Sequence, residues 1–451
     1  MSVSPTSKLS IQATESTYCV IGAGPSGLAV LKNLLQMGVQ CHALEREDDV
    51  GGNWNFGKAS SSVYQSTHLI SSKRMTAYDE FPMPESFSSY PSHQEAQQYL
   101  RSYAREFDLY SHIELGATVN HISPVGPDAW EINVAGEDSP RKYAGVIIAN
   151  GHHWDPLSPQ IPGNFNGEVI HSRQFKSGEQ LRGKRVLVVG AGNTGCDIAV
   201  EAAIHADYAA LSMRRGYHFL PKFIRGKPSD VIGDRLRGLP IPKLWKRWIV
   251  RHAVAFVLGR PERYGLPRPD HEIFATHPII NSQLPYYVGH GRVQVFSDVK
   301  QFDGDEVVFA DERRQAFDLV ILATGYKLSF PFIDLKQLNA QEGTPRLFLH
   351  AFHPDKDNLF VAGMIQPNSG QWPLSELQAK IMARFIVAQK TQPQLADWFR
   401  ALKHSSAAGW PQKDEFIASP RHRLEVDYYD YRKTLQKILR RMDGVKPLSR
   451  K

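Results

Sequence analysis

Two glycine-rich stretches, GAGPSG at 22–27 and GAGNTG at 190–195, constrain the fold of this chain more than any other feature. Each follows a short apolar run and precedes apolar residues at helical spacing, which is the pattern of a strand, a tight turn and a helix. In such a turn the first glycine permits the bend, the second lets a pyrophosphate approach the backbone, and the third lets the helix pack on the strand. The chain is therefore predicted to contain two dinucleotide-binding units.

The order of the predicted elements gives the domain organisation. A strand-like run at 317–326 closes the second unit. Another strand-like run at 357–366 and a helical run at 375–390 follow it, which indicates that the first domain resumes there. The predicted fold class is α/β, with two Rossmann-type dinucleotide-binding domains, the second inserted into the first. The predicted boundaries are a disordered N-terminus at 1–16, a first domain at 17–175 and 325–451, and a second domain at 176–324 with a helical insertion at about 228–285.

The residues around the first loop favour a flavin dinucleotide. Glu45 ends the next predicted strand, at the spacing of an acid that binds a ribose hydroxyl. The sequence GGNW at 51–54 offers close backbone approach and an aromatic ring to a flat ligand. A structural glycine turn and an ordinary loop are the plainer alternatives. The residues predicted to bind this dinucleotide, FAD, are Gly22, Gly24, Pro25, Ser26, Gly27, Glu45, Arg46, Gly52, Asn53, Trp54 and Gln366.

The second loop differs from the first at the end of the following strand. That strand ends in LSMRR at 211–215, with no carboxylate to bind a free 2′-hydroxyl or to repel a phosphate. A guanidinium matches the geometry and charge of a phosphate, so this unit is predicted to prefer NADPH to NADH. The alternative is that the two arginines are a solvated strand end. The residues predicted to bind NADPH are Gly190, Gly192, Asn193, Thr194, Gly195, Ser212, Arg214 and Arg215.

Two such sites in one chain predict hydride transfer from NADPH to bound FAD. The helix that begins near Ser375 is expected to direct its N-terminus towards the flavin, where the positive end of the helix dipole would stabilise reduced flavin. A disulfide reductase is disfavoured because none of the three cysteines belongs to a CxxC pair that a flavin could reduce.

Composition argues against several other classes of protein. The net charge is +7 and the pI about 9.1, but the basic residues are scattered. Only the C-terminal tail is plainly basic, and it lacks the interleaved aromatics of single-stranded nucleic acid binders, so nucleic acid is not an expected partner. Three cysteines without a paired framework indicate a reducing, cytoplasmic location. No apolar run is long enough to span a membrane, and no metal site is predicted.

The segment IPKLWKRWIVRHAVAFVLG at 241–259 is predicted to form an amphipathic helix. Packing of its apolar face on its own domain is the favoured interpretation, and a weak peripheral membrane contact is the alternative. No motif specifies the oligomeric state, and a homodimer is compatible with the sequence.

A longer motif lies before the second loop. FNGEVIHSRQF at 165–175 fits an FxGxxxHxxx(F/Y) pattern through Phe165, Gly167, His171 and Phe175, and LATGY follows at 322–326. Through these motifs, together with GGNW, LSMRRG, YGLPRPDH at 264–271 and MIQPNSGQWPLSELQAK at 364–380, the chain resembles the flavin-containing monooxygenases, a family of class B flavoprotein monooxygenases.

The resemblance implies that NADPH reduces FAD, that the reduced flavin adds molecular oxygen to form a C4a-hydroperoxyflavin, and that one oxygen atom passes to a soft nucleophile of a small organic substrate. Amine nitrogens and sulfides are the usual acceptors in such enzymes. Because the eleven-residue motif lies where the chain passes towards the second domain, His171 is expected to couple the two domains and not to act as a general base.

One position departs from the family pattern. The stretch YQSTHLISSKRMTAYDEFPMP at 64–84 resembles the family segment that carries an active-site asparagine, and that asparagine aligns with Ile70. Isoleucine has no hydrogen-bonding group, so the role of this position is open, and His68 is the nearest polar candidate in sequence. The alternatives to the monooxygenase are an NADPH oxidase or flavin reductase that releases hydrogen peroxide, Baeyer–Villiger oxygenation of a ketone, and a redox sensor without enzymatic activity.

Overall fold

The computed structural model describes residues 14, 16–237, 240, 242–273, 276, 279–405 and 423–449. The predicted disordered segment 1–16 lies outside the described residues, apart from positions 14 and 16. In the first half of the chain the strands are β1 (Tyr18–Ile21), β2 (Cys41–Glu45), β3 (Ile113–Leu115), β4 (Val119–Val125), β5 (Ala129–Val134), β6 (Arg141–Tyr143), β7 (Gly145–Ile148), β8 (Asp155–Pro156), β9 (Gly163–Phe165), β10 (Glu168–His171), β11 (Arg185–Val189), β12 (Tyr208–Ser212), β13 (Phe223–Ile224) and β14 (Lys227–Pro228).

The remaining strands are β15 (Gln294–Phe296), β16 (Val299–Gly304), β17 (Glu306–Phe309), β18 (Arg314–Ala316), β19 (Leu319–Leu322), β20 (Tyr326–Lys327), β21 (Ala340–Gln341), β22 (Thr344–Pro345), β23 (Leu359–Val361), β24 (Gln366–Pro367) and β25 (Glu425–Val426). The helices are α1 (Pro25–Gln36), α2 (Lys73–Thr76), α3 (His93–Glu106), α4 (Asn193–His205), α5 (Ser229–Arg237), α6 (Lys243–Leu258), α7 (Gln283–Gly289), α8 (Trp372–Thr391), α9 (Pro393–Ser405) and α10 (Tyr428–Arg441).

Two parallel five-stranded sheets organise the molecule. The first has the order β23-β7-β1-β2-β3 and the second the order β10-β19-β11-β12-β15. Their central strands are continuous apolar runs, such as YCVI in β1 and LVIL in β19, and every residue of those two strands is buried. Such runs suit strands that are covered on both faces. We refer to the two sheets and the helices packed on them as the first and second units.

Two strands that precede residue 175 pair with strands that lie after residue 290. β9 pairs with β16, and β10 forms the edge of the second sheet beside β19, so both strands precede the boundary predicted at residue 175. The local sequence EVIH at 168–171 does not reveal this pairing, because its partner β19 is distant in sequence. The return predicted near residue 324 falls between β19 and β20, and β20 pairs with β8 where the two connections run side by side.

The connection between β12 and β15 contains α5, α6 and α7, and the helical insertion predicted at about 228–285 covers α5, α6 and the start of α7. On α6, Trp245, Trp248 and Phe256 are 61%, 54% and 86% exposed, so the favoured prediction that this apolar face packs on its own domain is wrong for these residues. They lie on the solvent side of the helix, which sequence periodicity could not assign. Among the described residues, no helix is long and apolar enough to cross a membrane.

Candidate active site

The first glycine loop joins β1 to α1. Gly22 has a φ of +102°, and a Cβ there would lie 2.6 Å from the carbonyl oxygen of Ala149. At Gly27 an added Cβ would overlap the carbonyl oxygen of Gly22, so the start of α1 can rest against the strand only without a side chain. The helix has Gly24 as its N-cap and no side-chain cap, which leaves N–H groups of its first turn available to an anion.

Glu45 holds this loop at the end of β2. Its Oε2 accepts a hydrogen bond of 2.6 Å from the Ala23 N–H, and its Oε1 accepts one of 3.0 Å from the Glu47 N–H. Burial raises the pKa of Glu45, although both hydrogen bonds favour the charged form. Each carboxylate oxygen keeps a second lone pair, so Glu45 can both fix the loop and accept a ligand hydroxyl.

The GGNW segment lies directly against the glycine loop. The Gly51 N–H donates to the carbonyl oxygen of Ala23 at 2.9 Å, and a Cβ built on Gly52 would lie 3.0 Å from the Cα of Gly24. Two backbone segments therefore meet here without side chains between them. Trp54 extends from this segment and meets Trp372 edge-on, with ring centroids 6.0 Å apart.

A cavity of about 570 Å³ lies along these elements. The predicted FAD residues that line it are Gly22, Gly24, Pro25, Ser26, Glu45, Arg46, Gly52, Asn53, Trp54 and Gln366. Gly27 does not line the cavity and is buried in the first turn of α1, where it allows close helix packing. The residues predicted for the first cofactor are thus brought together around one cavity, although they come from distant parts of the sequence.

The N-terminal end of α8 closes part of this cavity. The helix begins at Trp372 and not near Ser375 as predicted, because Pro373 fits its first turn. The Ser26 hydroxyl lies 3.1 Å from the Ser375 hydroxyl, and Gln371 Nε2 donates to the carbonyl oxygen of Gly363 at 2.7 Å. The first contact ties α8 to the first turn of α1, the second ties the residue before α8 to Gly363, and the N-terminal residues of both helices line the cavity.

Sequence reasoning missed the contribution of the loop after β7. Asn150, His152, His153 and Trp154 line the cavity, and the Arg46 guanidinium lies 5.0 Å from the ring centre of Trp154. The sequence VIIANG at 146–151 could have indicated this loop, because it is an apolar strand run that ends in Asn-Gly. The carboxyl ends of parallel strands meet at one edge of a sheet, and ligands bind there.

The two residues proposed near the reaction centre have different positions. Ile70 lines the cavity and is 36% exposed there, in the segment 69–76 that forms one wall. His68 is not among the lining residues, and its Nδ1 lies 2.8 Å from the carbonyl oxygen of Ser66. Polar groups on the cavity side of this wall come instead from Ser71 and Thr76, whose hydroxyls lie 2.7 Å apart.

The second glycine loop repeats the geometry of the first between β11 and α4. Gly190 has a φ of +105°, and a Cβ there would lie 2.6 Å from the carbonyl oxygen of Ala323. A Cβ on Gly195 would overlap the carbonyl oxygen of Gly190. α4 has Gly192 as its N-cap without a side-chain cap, and within its first turn Thr194 follows Asn193, whose Oδ1 accepts from the Ile280 N–H at 2.8 Å.

The three side chains predicted to recognise NADPH are not equivalent. The Ser212 hydroxyl is buried and donates to the carbonyl oxygen of Ser297 at 2.8 Å. Arg215 donates to Asp270 Oδ1 at 2.8 Å and 3.1 Å, and this pairing lowers the pKa of Asp270 to about 2. Arg214 is exposed and has no ion pair among the described residues. Of the three, Arg214 is therefore the group free to meet an added phosphate.

The motif at 165–175 connects the two units. His171 Nδ1 accepts from the Arg173 N–H at 3.1 Å, so Nε2 carries the proton and donates to the carbonyl oxygen of Gly325 at 3.0 Å. Burial lowers the pKa of His171, which keeps this neutral tautomer. Both ring nitrogens are engaged by backbone, so the imidazole joins the outgoing and returning connections and is not a general base.

The residues that follow His171 reach back into the first unit. Phe175 is fully buried against Tyr64, with ring centroids 5.5 Å apart. Lys176 Nζ donates to the carbonyl oxygens of Ser61 at 2.8 Å and Val63 at 3.3 Å. The segment that precedes the cavity wall is therefore held by the chain that enters the second unit.

With this geometry established, comparison with known proteins gives the family. The flavin-binding monooxygenase-like family model matches residues 16–448. The chain belongs to this family. It is 31% identical over 450 residues to flavin-containing monooxygenase 5 of Oryctolagus cuniculus, covering 95% of this chain and 83% of the relative. It is 32% identical over 435 residues to dimethylaniline monooxygenase [N-oxide-forming] 2 of Pan troglodytes, covering 91% of this chain and 80% of the relative.

Among solved structures, OTEMO in complex with FAD and NADP has a similar fold, with a TM-score of 0.68, 19% identity, and coverage of 96% of this chain and 99% of that one. As a member of the flavin-binding monooxygenase-like family, the protein is an FAD- and NADPH-dependent monooxygenase. The residues present fit the first cofactor, because glycine backbone and an uncapped helix N-terminus form the cavity beside Glu45.

Proposed function

We propose that this monooxygenase transfers one oxygen atom to the nitrogen or sulfur lone pair of a small, uncharged region of an organic molecule. The observation that carries the proposal is the chemistry of one cavity wall. The lining residues from 69 to 76 and from 365 to 372 are apolar or neutral, and none of them has a charged side chain. With no base on this wall to activate it, we expect the substrate to supply its own nucleophile.

The remaining roles follow from the positions of the side chains. Glu45 and Arg46 would bind the ribose and adenine end of FAD, with Trp154 packed beneath Arg46. The first turns of α1 and α8 would face its phosphates and its flavin. Bound FAD would accept hydride from NADPH and then activate molecular oxygen. Ile70, Trp54 and Trp372 would exclude water from the cavity.

For the second cofactor we propose that Arg214 selects NADPH by binding its 2′-phosphate, while Arg215 holds the turn through Asp270. The backbone of Gly190 and Gly192 would bind the pyrophosphate, with Asn193 and Thr194 in the first helical turn. We also propose that the boundary between the two cofactor domains lies within the paired connections at β8 and β20.

The test measures product and peroxide together. Purified enzyme with FAD is mixed with NADPH, oxygen and, in turn, a tertiary amine, a sulfide and a ketone of similar size. The N-oxide-forming relative supports an amine as the first choice. We expect N- or S-oxide in proportion to the NADPH consumed. Ester formation from the ketone alone would indicate Baeyer–Villiger chemistry, and peroxide with every compound would indicate an oxidase.

We further propose a weak peripheral membrane contact through α6 in a cytoplasmic enzyme. Trp245, Trp248 and Phe256 are exposed on a helix that also carries Arg251, and aromatic and basic groups together favour an anionic interface. Sedimentation with vesicles of anionic and of neutral lipid tests this proposal. Replacement of Trp245 and Trp248 by Ser should abolish co-sedimentation with anionic vesicles, and no binding by the unmodified protein would contradict it.

A further inference from the structure

A helix of the second unit contacts the cavity wall of the first. α5 lies in the insertion between β12 and β15, and its Asp230 Oδ2 accepts a hydrogen bond of 2.6 Å from the Ser72 N–H. The other oxygen, Oδ1, accepts from the Val231 N–H at 2.8 Å. The carboxylate therefore has partners in both units, and one of them is a backbone group of the wall segment 69–76.

Several hydrogen bonds within the wall segment 69–76 converge on the backbone of Ser72. Its carbonyl oxygen accepts from the N–H groups of Met75 and Thr76, each at 3.0 Å, and from the Thr76 hydroxyl at 3.0 Å. Thr76 is also in contact with the hydroxyl of Ser71. Ile70, Ser71 and Thr76 line the cavity, so a shift of the Ser72 peptide would move all three together.

The position of Asp230 has an energetic cost, and its hydrogen bonds offset it. Burial raises the pKa of this carboxyl, and the hydrogen bonds from Ser72 oppose the shift. A short hydrogen bond to a carboxylate is stronger than one between neutral groups. An apolar residue would leave the Ser72 N–H without this acceptor, so the carboxylate contributes a fixed position for the wall.

Other contacts hold the same insertion against the first unit without reaching the cavity. The Tyr429 hydroxyl donates to Asp234 Oδ1 at 2.8 Å, and the Tyr90 hydroxyl donates to the carbonyl oxygen of Lys222 at 2.5 Å. Neither Tyr429 nor Tyr90 is a lining residue. The contact between Tyr429 and Asp234 is therefore a matched control: it belongs to the same interface and the same helix, and neither residue lines the cavity.

We propose that Asp230 is a positioning residue for oxygen transfer. It fixes the wall 69–76 through the Ser72 amide and makes the shape of the flavin cavity depend on the placement of the second unit. The proposal rests on the function proposed above.

The experiment compares Asp230→Ala, Asp230→Asn and Tyr429→Phe with the unmodified holoenzyme. Amide hydrogen exchange of a peptide covering 69–77 reports the wall directly. We expect exchange about tenfold faster in Asp230→Ala, because a charge-assisted hydrogen bond is lost. Asp230→Asn keeps one acceptor for the Ser72 N–H and should remain within about threefold of the unmodified enzyme. Tyr429→Phe should leave exchange of this peptide unchanged.

Kinetic measurements distinguish a positioning role of Asp230 from a general loss of structure. In Asp230→Ala we expect unchanged FAD content and an unchanged rate of flavin reduction by NADPH, with KM for the oxygen acceptor raised about tenfold. Asp230→Asn should restore that KM. Unchanged exchange of the 69–77 peptide in Asp230→Ala would overturn the proposal. It would also be overturned if Asp230→Asn and Tyr429→Phe raised exchange and KM as much as Asp230→Ala does. Failure of the unmodified protein to oxygenate any acceptor would overturn the proposed function, whereas the exchange measurement would still test the contact.

Discussion

The two glycine loops have nearly the same backbone and different surroundings. A Cβ on Gly22 or on Gly190 would lie 2.6 Å from the carbonyl oxygen of the facing strand's following residue, Ala149 or Ala323. The second strand then ends in Glu45 in the first unit and in Ser212 in the second. The shared backbone is expected to bind a dinucleotide in both units, and the side chains at the end of the next strand are expected to decide which one.

The two glycine loops also differ in how far other parts of the chain cover them. The first loop is covered by GGNW and by α8, and it lines a cavity of about 570 Å³. None of the residues predicted to bind NADPH lines that cavity. A dinucleotide held in the first site would be enclosed by GGNW and α8 as well as by the glycine loop, which suits a cofactor that stays bound. Arg214 is exposed at the second site, which suits a cofactor that exchanges.

The largest effect is expected from removing the third glycine of each loop in turn. In Gly27→Ala the new Cβ would overlap the carbonyl oxygen of Gly22, and in Gly195→Ala that of Gly190. Backbone cannot move aside as a side chain can, so we expect about 3 kcal/mol or more of strain, or roughly 100-fold weaker binding at the affected site. Gly27→Ala should lose FAD on gel filtration, and Gly195→Ala should stay yellow.

Each glycine variant is the control for the other. Gly195→Ala should be reduced normally by dithionite and slowly by NADPH. Thermal melting of both variants without cofactor shows whether the fold survives. If Gly195→Ala lost FAD while its melting temperature stayed unchanged, the two cofactor sites would not be independent of each other.

An intermediate effect is expected at Arg214. Arg214→Ala removes the charge-assisted contact proposed for the 2′-phosphate, which should cost about 1.5–3 kcal/mol and raise KM for NADPH tenfold or more. The KM for NADH should not change, because NADH has no such phosphate. Steady-state kinetics with both nucleotides measures the ratio.

Arg215→Ala is the matched control for Arg214→Ala. Arg215 is engaged with Asp270, so its removal should affect NADPH and NADH alike by loosening the turn. If the preference for NADPH survived in Arg214→Ala and disappeared in Arg215→Ala, Arg215 and not Arg214 would be the residue that binds the 2′-phosphate. In that case the ion pair with Asp270 would have to open when NADPH binds.

Only part of the two sites could be predicted from the sequence. Residues that act through local backbone geometry, such as Gly22 and Glu45, were predictable because a strand, a turn and a helix lie within one short segment. Contacts between distant segments were not predictable. The pairing of Arg215 with Asp270, the contact of Asp230 with Ser72 and the outward face of α6 depend on tertiary packing that no local pattern encodes.

The smallest effect is expected at Ile70, the residue proposed to stand where the family has an active-site asparagine. The side chain lines the cavity and is 36% exposed, so Ile70→Asn should fold and bind FAD normally. Isoleucine excludes water but supplies no hydrogen bond, and the unmodified enzyme should therefore release hydrogen peroxide when no acceptor is present.

In Ile70→Asn the added amide should lower the share of NADPH electrons recovered as peroxide by about two- to fivefold, the size expected of one net hydrogen bond. Peroxide and NADPH are measured in the same reaction, with Ile70→Leu as the control that keeps the apolar volume. A low peroxide yield in the unmodified enzyme, unchanged by the asparagine, would mean that another group already fills this role. Ser71 and Thr76 would then be the groups to replace, because their hydroxyls lie in the same wall and His68 does not line the cavity.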